Sequence, residues 1–185
     1  IEKISEDELV ENIREAIKEN SEIKIWNMSL GSKQEADEHN FSHFGQALDS
    51  IQETYEVLIC KSAGNCTNFK NGNPKSRVSR SADSILSLVV GSIAHNKKIN
   101  DLAEVDHPSP FTRIGNGPSN IIKPELVSYG GNASVVNGKI VKNGVSSLSS
   151  DGKIVSEVGT SFSTPRVSAL LASLDMNINE EFNPL

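Results

Sequence analysis

"VGTSFSTPRVSALLASL", residues 158–174, sets a Gly-Thr-Ser step and a proline directly before an apolar-periodic run. A Ser or Thr at such a junction caps a helix, accepting from backbone N–H groups that the first turn leaves without partners. The same place suits an acyl-transfer nucleophile, because the positive end of the helix dipole favours developing negative charge. Ser161 therefore has two readings from this stretch alone, cap or nucleophile. Pro165 fits either, since near a helix start the amide it lacks has little or no partner. Val167, Leu170, Leu171 and Leu174 are expected on one face of the helix that follows.

Outward from this stretch the chain alternates strand and helix patterns. "SEDE" opens a helix with Ser5 as N-cap and Glu8 as its capping-box partner, and Leu9, Val10, Ile13, Ala16 and Ile17 recur at helical spacing up to Asn20. "IKIWNMSL" and "YEVLICKSAG" are short apolar runs closed by Gly or Ser and read as buried strands. Between them Phe41, Phe44, Leu48, Ile51 and Tyr55 mark an amphipathic helix over 40–55. "CTNFKNGNPKSR", dense in Asn, Gly and Pro, is a loop, and "ADSILSLVVGSIA" predicts a third buried strand. Such alternation predicts a three-layer α/β fold, a mostly parallel sheet with helices on both faces and right-handed crossovers. "VVNGKIV" and "NGVSSLSSDGKIVSE" carry Asn-Gly and Asp-Gly turns, so small β-hairpins precede the last helix.

The 185 residues suffice for one core and predict a single domain, 1–185. No run approaches the roughly 18 apolar residues of a membrane helix. A net charge of -6 opposes attraction to phosphate backbones or anionic lipid. Neither nucleic acid nor membrane is an expected partner. "IEKISEDELVENIREAIKEN" has no basic segment leading into an apolar one and so does not read as a signal peptide; Ile1 in place of Met leaves processing, or excision from a longer chain, open. Cys60 and Cys66 fit neither a C-x-x-C redox pair nor a zinc knuckle. Two free thiols are expected, which leans toward a reducing, cytoplasmic compartment. No D-x-D-x-D-G calcium loop is present, and no metal or cofactor is assigned.

Three stretches share one address on such a sheet. "NMSLGS" (27–32) ends the first strand, "SAGN" (62–65) ends the second, and "GTSFSTP" (159–165) opens the final helix. Strand C-termini and helix N-termini converge on the edge where open α/β sheets bind ligands. Asn65 can then aim its amide at the same space as Ser161, and an amide donor facing a nucleophilic serine is an oxyanion hole. Taken alone, Asn65 after Gly64 reads equally well as a turn former. With "SPFTRIGNG" (109–117) and "IKPELVSYGG" (122–131) between them, the five blocks resemble, in type and order, the subtilisin-like serine peptidases or subtilases. The resemblance covers most of the chain, and G-T-S-x-x-x-P is its most specific block. It implies a serine endopeptidase that cleaves a peptide or protein substrate through an acyl-enzyme, with Ser161 as nucleophile and Asn65 in the oxyanion hole. It also implies that the backbone of Ser29, Leu30 and Gly31 lines one wall of the S1 pocket and Ser62, Ala63 and Gly64 the other. Small residues there let an extended peptide approach; strand-end packing is the plainer account of all six.

A serine needs a base, and the base an orienting group. In subtilases these stand in Asp-Thr/Ser-Gly and His-Gly-Thr steps upstream of the serine, and this sequence contains neither step. His39, His43, His95 and His107 fall in polar stretches or loops and are expected at solvated positions. The resemblance predicts that the missing Asp and His precede Ile1, that a further helix follows "EEFNPL", and that the isolated chain is inactive. The partner it implies is the N-terminal portion of the chain's own longer form. The competing reading is a catalytically inactive subtilase-like interaction module. Phe162 is expected in the core, Cys66 is either a plain buried thiol or a redox-sensitive neighbour of Asn65, and Arg166 either answers a carboxylate or is solvated.

Overall fold

In the computed structural model, which describes residues 4–73 and 75–182, the Ser5 hydroxyl accepts from the Glu8 amide at 3.1 Å and starts α1 (Glu6–Glu19). Glu6, Asp7 and Glu8 in its first turn complement the helix dipole. A second capping serine, Ser42, accepts from the Gly45 amide at 2.9 Å and starts α2 (His43–Tyr55). Four strands, β1 (Ile25–Met28), β2 (Leu58–Ser62), β3 (Leu88–Ile93) and β4 (Leu126–Tyr129), pair in parallel in the order β1-β2-β3-β4. Met28 sits opposite Lys61, Ser62 opposite Val90, and Ile93 opposite Tyr129, so the strands end together along one edge.

Strand alternation divides β2 between the two faces. Ile59 joins Val10, Ile17, Met28, Leu48 and Ile51 under α1 and α2, whereas Cys60 and Val90 meet Val167 of α3 (Thr160–Phe182) on the other face. Helices therefore cover both faces, as expected. Ile51 is fully buried, and its truncation to Ala would cost about 2–5 kcal/mol by lost transfer energy and the cavity left behind. Both cysteines are buried and free, and burial pushes the Cys60 thiol up to about 11. No described helix is long and apolar enough to cross a membrane.

Both predicted hairpins form. β5 (Asn132–Val136) and β6 (Lys139–Asn143) turn at Asn137 (φ 50) and Gly138 (φ 69), the two positive φ values of a type I′ turn. β7 (Val145–Leu148) and β8 (Ile154–Glu157) turn around Asp151-Gly152, whereas Asn143-Gly144 is the link from β6 to β7.

Three expectations change. The strand expected over 82–94 begins only at Leu88: Ile85 and Leu86 are exposed, and the Asp49 carboxylate of α2 holds their amides at 3.0 and 2.8 Å, outside any ladder. β4 was not expected as a strand, because at the sheet edge Leu126 and Val127 stay exposed and its sequence lacks the continuous apolar signature. On α3, Val167 is buried but Leu170 and Leu174 are exposed. Leu171 packs beside Val167 against Cys60 and Val90 as expected, and the rest of the buried face is Thr160, Ser163, Thr164 and Ser168, small residues that let the helix approach closely.

Candidate active site

Thr160 begins α3 directly above the ends of the parallel strands, and Gly159 before it has φ 145, a conformation that side chains disfavour. A Cβ on Gly159 would lie 3.3 Å from Asn65 Nδ2 and 3.7 Å from the Ser161 amide nitrogen. The Gly159 amide donates to the Gly130 carbonyl at 2.9 Å, so the turn rests on the "YGG" segment that leaves β4.

Asn65 is oriented by the same turn. The Thr160 N–H donates to Asn65 Oδ1 at 3.0 Å, the Thr160 hydroxyl does so at 3.3 Å, and the Gly64 N–H donates to that hydroxyl at 3.3 Å. With Oδ1 engaged by Thr160, Nδ2 is the donor that the Asn65 side chain has left to offer. The backbone of Asn65 is held by the "SPFTRIGNG" loop in a short antiparallel pairing. Asn65 bridges Thr112, the Cys66 amide donates to the Phe111 carbonyl at 2.8 Å, and the Arg113 amide donates to the Gly64 carbonyl at 3.1 Å. The loop is tied in turn to β3, whose Ser92 amide donates to the Thr112 hydroxyl at 3.0 Å.

Between these elements lies a cavity of about 270 Å³ lined by Ser29, Gly31, Ser32, Lys33, Ser62, Gly64, Asn65, Thr160 and Ser161. Of the residues expected at the site, Ser161, Asn65, Ser29, Gly31, Ser62 and Gly64 meet here. Leu30 and Ala63 are not among the lining residues, the Leu30 side chain being exposed and Ala63 fully buried, but each lies in the chain between two residues that are. The Leu30 carbonyl accepts from the ammonium of Lys61 and from the Ser62 hydroxyl at 3.1 Å. A larger cavity of about 770 Å³ opens on the other side of Asn65, with Cys66, Phe111 and Val158 in its wall.

Pro165 carries a consequence that its position in the sequence did not suggest. It has no N–H to offer the Ser161 carbonyl four residues back, and the Ser29 hydroxyl donates to that carbonyl instead at 3.4 Å. The segment after the first strand and the Ser161 turn are thereby joined.

Two buried cations at the site escaped the sequence reading. Lys61 stands inside the apolar run of β2, fully buried, and burial lowers its ammonium to about 7. Arg113 lies in the "SPFTRIGNG" block and is 4% exposed. A lone cation in a strand-like run is a signal for the first; the second carries none, because its surroundings come from distant segments.

The histidines lie elsewhere. His43 stands at the start of α2 near Glu6 and Asp7, while His39 is exposed and the exposed His107 contacts the Val105 carbonyl. His95 follows β3, half-buried; its Nδ1 has no hydrogen-bond partner among the described residues, and burial together with Arg166 and Lys98 lowers its basicity. None of the four has a hydrogen bond or ion pair to Ser161 among the described residues. Phe162 is half-buried and Arg166 exposed.

Against known proteins, the sequence model of the Subtilase family matches residues 2–184. Among solved structures, the prenylagaramide maturation protease PagA is similar at 20% identity and TM-score 0.60, covering 96% of this chain and 52% of that one. Sphericase is similar at 19% identity and TM-score 0.60 over 98% of this chain and 51% of that one. The patellamide maturation protease PatA is similar at 18% identity and TM-score 0.60 over 94% and 51%. At these identities the likeness establishes the fold, and the chain spans about half the length of each. No curated protein matches.

Proposed function

This chain belongs to the subtilase family, and on that premise we propose that Ser161 is the nucleophile of a serine endopeptidase and Asn65 a donor of its oxyanion hole. A peptide lies extended between the Ser29–Gly31 and Ser62–Gly64 segments, with its scissile carbonyl over Ser161. The Ser161 hydroxyl oxygen attacks that carbon while the base takes its proton. The tetrahedral oxygen is met by Asn65 Nδ2 and the Ser161 N–H. Collapse expels the amine, which receives the proton from the base, and leaves an acyl-enzyme that water hydrolyses by the same steps. The observation that carries the reading is the Thr160 N–H on Asn65 Oδ1 at 3.0 Å, which ties the Asn65 side chain to the residue before Ser161 in a cavity that both line.

Because none of the four histidines bonds Ser161 or lines its cavity among the described residues, and the family's Asp and His steps are absent from this sequence, we place the base and its orienting carboxylate in sequence outside these residues. The isolated chain is then expected to be inactive. The test is labelling of the full-length protein by a fluorophosphonate probe. Labelling is expected, with Ser161→Ala abolishing it and Asn65→Ala slowing it about 10²–10³-fold, the loss measured when such a donor is removed from subtilisin. A folded full-length protein that takes no label would make the chain an inactive, subtilase-like interaction module.

A further inference from the structure

We propose that Arg113 is the positioning residue of the oxyanion hole, a buried guanidinium that locks the Asn65 loop to the substrate walls by binding three backbone carbonyls at once. Its Nε donates to the Asn65 carbonyl at 3.1 Å, Nη1 to the Arg77 carbonyl at 3.0 Å, and Nη2 to the Lys33 carbonyl at 2.6 Å. The three acceptors come from three segments. Asn65 carries the proposed donor, Lys33 lies two residues past the Ser29–Gly31 wall, and Arg77 lies two residues before Ser79, whose hydroxyl bonds both the amide and the carbonyl of Ser32 at 2.8 and 3.0 Å. The guanidinium thus ties together the residue after one wall, the segment past the other, and the segment that braces it.

No carboxylate lies within ion-pair distance of Arg113 among the described residues, so its buried charge is stabilised by carbonyl dipoles alone. A buried cation is costly unless its donors are all engaged, and the planar fork of arginine can satisfy several fixed acceptors where the point charge of lysine cannot. The side chain is also pressed against the cleft. A Cβ on Gly64, which has φ 96, would lie 2.9 Å from Arg113 Cδ, so the arginine stem runs directly beneath the glycine of the wall. Displacement of the Asn65 backbone, from which its amide side chain projects, is therefore opposed by the Nε bond and by the Arg113 amide bond to the Gly64 carbonyl.

This inference rests on the oxyanion role proposed for Asn65, and a double-mutant cycle separates the two. The readout is the second-order rate of fluorophosphonate labelling of Ser161 in the full-length protein, with folding checked by circular dichroism. Arg113→Met is expected to slow labelling about tenfold in the parent protein and less than about twofold in an Asn65→Ala background, because a residue that acts through Asn65 has nothing left to position. Equal slowing in both backgrounds would overturn the proposal while leaving the Asn65 reading intact. No effect of Asn65→Ala alone would overturn both. Should Arg113→Met not fold, Arg113→Lys decides the matter: it keeps the charge but not the fork, and labelling at the parent rate would refute the positioning role.

Discussion

Lys61 makes a prediction that does not depend on catalysis. Its side chain is fully buried at the end of β2, with its ammonium on the Leu30 carbonyl, and desolvation lowers its pKa from 10.5 to about 7. Below pH 7 the lysine is charged in both the folded and the unfolded chain, and the folded state bears the whole cost of burying that charge. Between pH 7 and 10.5 the unfolded chain holds a proton that the folded one has released, so stability rises with pH through this window. A gap of about 3.5 units at about 1.36 kcal/mol per unit sets the cost at about 5 kcal/mol as an upper value. The slope from this group approaches about 1.4 kcal/mol per pH unit by pH 8–9. Lys61→Met removes the charge and keeps the bulk, losing about 1 kcal/mol with the hydrogen bond to Leu30. The variant is therefore expected to be more stable by roughly 3–4 kcal/mol at pH 6, with the gain shrinking toward zero near pH 10. Urea unfolding of both proteins at each pH unit from 6 to 9 measures it. The range stops there because Cys60, raised to about 11 from 9.0, contributes stability that is lost as pH rises through that higher interval. A Lys61→Met protein that is less stable at pH 6, or whose difference from the parent does not change with pH, would refute the argument.

Two further substitutions probe the frame. Asp83→Ala removes the carboxylate that accepts from the Ser42 amide at 2.6 Å and its hydroxyl at 2.7 Å, leaving the buried amide at the start of α2 without its acceptor while the hydroxyl keeps the Arg80 carbonyl at 3.1 Å. A destabilisation of about 1–3 kcal/mol is expected in the same urea assay. Gly159→Ala puts a side chain at φ 145, 3.3 Å from Asn65 Nδ2. It is expected to lose about 1–3 kcal/mol of stability to backbone strain and also to slow Ser161 labelling. Unchanged labelling would argue against the tight apposition of Gly159 and Asn65.

The legible parts of the fold were those set by neighbours in the chain. Ser5 and the periodic Leu9–Ile17 positions place α1, and Asn137-Gly138 places the β5–β6 turn, because capping, helical periodicity and turn chemistry are decided within a few residues. The apolar run at 82–94 misled for the same reason in reverse. Its first half is captured by Asp49, 36 and 37 residues away from the two amides it holds, and no local pattern announces that.

At the site, residue type and order in five short blocks were enough to single out Ser161, Asn65 and the two wall segments, since each block carries a local geometry of its own. What brings them together is the register of the parallel sheet, which aligns the ends of β1 and β2 under the first turn of α3. The bonds that hold the candidate site together span 95 residues from Asn65 to Thr160, 132 from Ser29 to Ser161, and 48 to 80 from Arg113 to Asn65 and Lys33. Local sequence determined which groups could act. The direction of the Asn65 amide, the burial of Lys61 and the three carbonyls around Arg113 were decided only by tertiary structure, because each depends on backbone groups that every residue carries and that position in space alone makes particular.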